Sequence, residues 1–170
     1  MKFALLALML AATASAQMPT APLAQACGPE SVSFKVKLDN SQHAPAPTEP
    51  GMARVYFMHD AGTYYSHPPG YPTTKIGMDG AWIGANHADS YFSVSVPPGE
   101  HHVCADLQSS LVDQRVELVH FTAEAGKVYY FRTRLLMSRS LEMLQLDAID
   151  SDQGNYLIRS FPLSISHPKK

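Results

Sequence analysis

At 170 residues, a net charge of −2 and 45% hydrophobic content, the chain has enough apolar material for the core of one domain. So even a charge balance gives no electrostatic footprint for nucleic acid and no polybasic patch for an anionic lipid surface.

Residues 1–16, MKFALLALMLAATASA, place one cation (Lys2) before an apolar run and end on Ala14-Ser15-Ala16. That is the layout of a secretory signal peptide cleaved before Gln17, and its apolar run is too short to span a membrane. No later segment is long and apolar enough to act as a transmembrane helix, so the expected location is periplasmic or extracellular. The leader removes only Lys2 among the charged residues, which leaves the mature chain at −3. Residues 17–30, rich in Ala and Pro, read as a flexible N-terminal segment.

Two cysteines, Cys27 and Cys104, in an exported chain predict a disulfide. Lipid attachment at Cys27 is the alternative use of that thiol. Against it, Ala24 stands where a lipoprotein signal usually carries leucine, and Cys27 lies well past the apolar core of the leader.

Ser31 to Leu38 alternates Val32, Phe34, Val36 and Leu38 with Ser and Lys, the pattern of a half-buried strand. A proline-rich loop follows, then a second strand from Ala53 to His59. Residues 60–74 collect tyrosines and prolines and read as a long loop. Asp79-Gly80 between apolar segments predicts a two-residue hairpin, because type I′ turns need positive φ at both central positions. In that register Met78 opposes Ala81, Gly77 opposes Trp82 and Ile76 opposes Ile83. Trp82, the only tryptophan, then faces away from Ile76 and Met78, across from a glycine that cannot cover it.

Ser90 to Val96 and Glu100 to Leu107 read as strands on either side of Pro97-Pro98-Gly99. Gln114 to Ala123 and Lys127 to Leu136 flank Glu124-Ala-Gly126 and predict a second hairpin. Leu141 to Ile149 reads as a last core strand, and Ser151 or Asp152 as the cap of a short C-terminal helix reaching Phe161. The expected fold is all-β, an antiparallel β-sandwich of about seven strands, PEGA-like or transthyretin-like, over residues 31–163. An up-and-down barrel is the rival architecture. Residues 164–170 read as a flexible tail.

Ala53-Arg-Val-Tyr-Phe57, Asp79-Gly-Ala-Trp-Ile-Gly84, Ser90-Tyr-Phe92, Pro98-Gly-Glu-His101 and Ala125-Gly-Lys-Val-Tyr-Tyr130 follow one another in order over about half the chain. That order resembles an uncharacterised bacterial envelope family known as domain of unknown function 2846. Asp79-Gly80 with Pro98-Gly99-Glu100-His101 is also similar to the PEGA surface-layer domains, which are small β-sandwiches. The resemblance implies export and an all-β fold, and brings no activity, ligand or catalytic residue with it.

His101-His102-Val-Cys104 invites a metal reading, since imidazole and thiolate are good ligands for zinc or copper. Strand alternation separates His101 from His102 and Cys104, and a disulfide would occupy the Cys104 sulfur. His59, His67, His87 and His120 are the other imidazoles that would have to complete such a site, and their spacing does not specify one. No nucleophile elbow occurs, and Asp147, Asp150 and Asp152 lack the ordered spacing of a calcium loop. The sequence therefore assigns no catalytic, cofactor-binding or metal-ligating residue. Trp82, with Tyr64, Tyr65 and Tyr71 of the long loop, forms the candidate binding patch, because rigid aromatics suit a protein or glycan partner. The expected function is a non-enzymatic exported module binding a protein or glycan in the cell envelope. The alternatives are a metal-binding or metalloenzyme domain using histidines near Cys104, and a structural domain acting by sheet-edge association.

Overall fold

In the computed structural model, residues 27–41, 44–61, 73–108, 116–138 and 141–170 are described. In chain order they form β1 (Phe34–Asp39), β2 (Ala53–His59), β3 (Thr73–Met78), β4 (Ala81–Asn86), β5 (Ser90–Val96), β6 (Gly99–Gln108), β7 (Glu117–Ala123), β8 (Val128–Ser138), β9 (Leu141–Ile149), α1 (Ser151–Ser160) and β10 (Leu163–Pro168). The strands make a six-stranded sheet in the order β1-β10-β5-β2-β8-β9 and a four-stranded sheet in the order β4-β3-β6-β7. Pairing is antiparallel except for β10 with β5 and β2 with β8.

The sandwich expected from the sequence is present with ten strands rather than about seven. Part of the excess is β10. Residues 164–170, read as a flexible tail, pair with β1 from Phe34↔Pro168 to Asp39↔Leu163. Its serines face inward, Ser164 Oγ lying 2.7 Å from Ser90 Oγ and Ser166 Oγ accepting from Ala85 N, while Ile165 and His167 on the other side are exposed. Both turns at Pro97-Pro98-Gly99 and Glu124-Ala-Gly126 carry the chain from one sheet to the other. The second was expected to close a hairpin. Instead β7 pairs with β6 while β8 pairs with β2 and β9, because a two-layer fold needs connections that change layer as well as connections that stay within one.

Between the sheets, Val55, Phe57, Ile76, Phe92, Val103 and Phe131 form the main core. The opposite face of the larger sheet is covered as well. There Tyr56, Met58, Tyr91 and Tyr130 lie under Leu157 and Ile158 of α1. Burying each of those two aliphatic side chains contributes roughly 1.5–3 kcal/mol. Covered on both faces, β2 reads as a nearly unbroken apolar run instead of alternating. Asp150 rather than Ser151 or Asp152 caps α1, its Oδ1 accepting from Gln153 N at 2.8 Å.

The hairpin β3–β4 has the expected turn, with Asp79 at φ 50° and Gly80 at φ 85°. Met78↔Ala81 and Gly77↔Trp82 also hold, but a bulge then shifts the register so that Ile76 opposes Gly84 rather than Ile83. A Cβ at Gly84 would sit 2.8 Å from the Phe92 ring, so the core aromatic of the facing sheet occupies that space. The bulge turns both Ile83 and Gly84 toward the core. The sandwich is also joined at its sides. β4 lies against β10 and β1, with Ala85 N donating to Ser166 Oγ, and β7 lies against β9.

Candidate functional site

The outer face of the four-stranded sheet holds the densest group of chemically distinctive residues. Lys75 and Gly77 on β3 pair with Asp106 and Cys104 on β6, and Gly77 also pairs with Trp82 on β4. Side chains on this face would normally meet water. Here the chain before β1 crosses it, fixed by the Cys27–Cys104 disulfide, with both cysteines buried. Gly77 leaves the room for it, since a Cβ there would lie 2.6 Å from Cys27 O and 2.8 Å from Cys104 Sγ. The gap opposite Trp82 is thus filled by the disulfide.

Trp82 is half-buried beside that disulfide and donates its Nε1–H to Pro29 O at 2.7 Å. On its ring rests the Lys75 ammonium, 4.2 Å from the centroid. Lys75 Nζ also meets Asp106 Oδ2 at 3.1 Å, with the two side chains only 5% and 6% exposed. Two charges removed this far from water cost several kcal/mol each, which the pairing offsets, and removal of either partner is expected to destabilise by about 3–5 kcal/mol.

Next along β6, His101 points to the core side and His102 to the outer side. His101 Nδ1 lies 2.6 Å from Asp79 Oδ2 and Nε2 lies 2.9 Å from Pro97 O. Both neighbours are acceptors, so both bonds form only when the ring carries two protons. Burial alone would lower the His101 pKa, but the Asp79 carboxylate and the Pro97 carbonyl outweigh it and hold it above the ordinary value. Burial acts to raise the Asp79 pKa, and the His102 N–H with His101 reverses that and sets it below the usual carboxylate value. In its doubly protonated form the ring ties the β3–β4 turn to the β5–β6 turn.

At the other end of the sandwich a polar cluster interrupts the core. His59 is fully buried, with Nδ1 2.9 Å from Thr74 Oγ1 and 3.0 Å from Thr133 Oγ1. Thr133 uses its single hydroxyl proton on Met58 O at 3.1 Å, so the proton of the Thr133–His59 contact comes from Nδ1. Asn86 donates from Nδ2 to Phe57 O at 3.0 Å. These bonds hold the start of β3 and the ends of β2 and β4 together.

A small cavity of about 170 Å³ opens at the corner where β7 meets β9. Phe121, Tyr129 and Phe131 form its aromatic wall, with Val128, Ala148 and Ile149 at the rim. Phe121 sits 5.0 Å, ring centre to ring centre, from both Tyr129 and Phe131, and 5.6 Å from His101. Tyr129 is held in place by its hydroxyl, which accepts from Glu124 N at 3.0 Å. Below the roughly 300 Å³ of an ordinary ligand pocket, the cavity suits one inserted side chain or ring.

Of the residues expected from the sequence, the disulfide pair Cys27 and Cys104 is joined. Trp82 lies beside it, while Tyr64, Tyr65 and Tyr71, together with His67, lie outside the described residues. The structure does not gather His59, His87 and His101 around one point, and no group of three metal-ligating side chains converges among the described residues. The Lys75–Asp106 pair, the aromatic corner and the position of His120 opposite His102 were absent from the sequence reading. The first and third depend on the pairing of β3 and β7 with β6, and the aromatic corner on β7 of one sheet meeting β8 and β9 of the other.

The fold and this outer face define a two-sheet β-sandwich with its N-terminal segment fastened across the smaller sheet by a disulfide. Among the described residues no helix is long and apolar enough to cross a membrane. Comparison with protein-family models, with curated proteins and with solved structures finds no match for the chain.

Proposed function

We propose that the protein is an exported, non-enzymatic β-sandwich module that binds a protein partner in the bacterial envelope. The observation that carries this reading is the aromatic corner between β7 and β9. Phe121 packs there against Tyr129 and Phe131, the Tyr129 hydroxyl accepts from Glu124 N, and Val128 beside them is 38% exposed. Preorganised aromatics around a side-chain-sized hollow are what an interface anchor needs, since little ordering entropy is lost when the partner arrives. Export is supported by the leader-like residues 1–16, by the buried disulfide and by an order of motifs that resembles that of the envelope family. Sheet-edge association is less well supported, because the β1 edge carries exposed Lys35 and Lys37, charges that oppose strand addition.

The test is capture from envelope fractions with Val128→Asp as the altered bait. Ile165→Asp serves as the control, since Ile165 is similarly exposed at 37% but lies on β10. The reading expects a partner retained by the wild type and by the Ile165 variant, and lost with Val128→Asp. Retention of the same partner by both variants would sink it.

A further inference from the structure

We infer that His102 and His120 form a two-histidine chelate for a divalent transition-metal ion on the outer face of the smaller sheet. The two residues are direct register partners on β6 and β7. His102 gives its backbone N–H to Asp79 Oδ1 at 2.9 Å, and its carbonyl accepts from Asp79 N at 3.0 Å. Both of its main-chain polar groups therefore point to the β3–β4 turn, away from β7. That makes His102↔His120 a non-hydrogen-bonded pair, the kind in which facing side chains come closest.

Both imidazoles are exposed, and their ring centres are 6.3 Å apart, tilted by 41°. Two imidazoles sharing one ion, each nitrogen about 2.0 Å from it, have centroids about 4.5–6.5 Å apart as the angle at the metal opens. The observed spacing lies at the open end of that span, and exposed rotamers adjust freely on the picosecond to nanosecond scale, which lets the rings close to the narrower angle of a chelate. Neither ring has to break a side-chain hydrogen bond seen in the structure to turn toward a shared ion. Glu100 pairs with Thr122, so it stands on the same face, diagonal to His120, and its carboxylate adds favourable charge for a cation. Two imidazole nitrogens completed by water suit Cu²⁺ best, then Ni²⁺ and Zn²⁺, in the order of general affinity for nitrogen ligands. The site shares no residue with the corner cavity, so either proposal can fail without the other.

The test uses the full mature, oxidised protein without a histidine tag. Cu²⁺ is titrated by calorimetry, and the nitrogen coupling of the bound ion is read by electron paramagnetic resonance. His102→Gln and His120→Gln are compared with His87→Gln and His167→Gln. Both ligand positions are exposed, and an unchanged urea midpoint in the metal-free variants verifies that they fold. The expected result is one site with coupling to two imidazole nitrogens, weakened about tenfold or more by either ligand substitution and unaffected by the controls. Binding that survives His120→Gln, coupling to a single nitrogen, or no binding at millimolar Cu²⁺ would each overturn the inference.

Discussion

Alanine at Gly77 tests the close contact between the disulfide and the sheet. An added Cβ would lie 2.6 Å from Cys27 O, 2.8 Å from Cys27 Cα and 2.8 Å from Cys104 Sγ, all well inside contact distance. Overpacking of this kind costs about 1–3 kcal/mol, and the cross-link that pins both sides keeps relaxation small, so the upper part of that range applies. Replacing glycine by alanine in a strand interior gains about 0.5–1 kcal/mol in the other direction. The net expectation is a loss of about 2 kcal/mol in the oxidised protein, or about 1 M in urea midpoint at a typical slope.

The same substitution in a Cys27→Ser/Cys104→Ser background leaves the N-terminal segment free to lift. There Gly77→Ala should be neutral or mildly stabilising. A double-mutant cycle by urea unfolding should therefore show a coupling of about 2 kcal/mol. If the cost is the same in both backgrounds within about 0.5 kcal/mol, the disulfide does not occupy the space opposite Trp82 and the reasoning is wrong.

Trp82→Ala removes the half-buried ring, its bond to Pro29 O and the surface on which Lys75 rests. It should cost about 2–3 kcal/mol in urea unfolding, below the range for a fully buried tryptophan. A cost under about 0.5 kcal/mol would return Trp82 to the status of an open surface aromatic. Because folding raises the His101 pKa, its contribution is fully present below the ordinary histidine value and is lost as pH rises through the raised folded value. Urea midpoints in EDTA-containing buffer should thus fall across that window, and His101→Gln should remove this part of the slope. An unchanged slope in the variant would refute the two-acceptor account. In α1, Gly154→Ala should destabilise even though alanine is the better helix former, since its Cβ would collide with the Tyr130 ring. A rise in melting temperature would show that the helix packs less closely.

Local chemistry made much of the architecture readable. Asp79-Gly80 announced its turn, the alternation in Phe34–Asp39 and Leu141–Ile149 announced strands, and the apolar run from Val55 to Met58 within β2 reflects cover on both faces. What stayed hidden depended on partners distant in the chain. Gly84 was silent because the space it yields is claimed by Phe92 from the other sheet. β10 was missed because a short polar segment becomes a strand only when β1 and β5 supply its ladder. The site shows the same division. Cysteine arithmetic gave the Cys27–Cys104 pair, whereas Lys75 with Asp106 and His102 with His120 are neighbours only in register. Trp82 opposite Gly77 was visible from the turn alone, but the disulfide between them could be placed only once Cys104 was paired with Gly77.

The most direct test of the account is non-reducing peptide mapping of the protein recovered from the cell envelope fraction. The expected result is a mature chain beginning at Gln17, with one cross-linked peptide joining Cys27 to Cys104 and no free thiol. A retained leader, two free thiols or a lipid on Cys27 would contradict it.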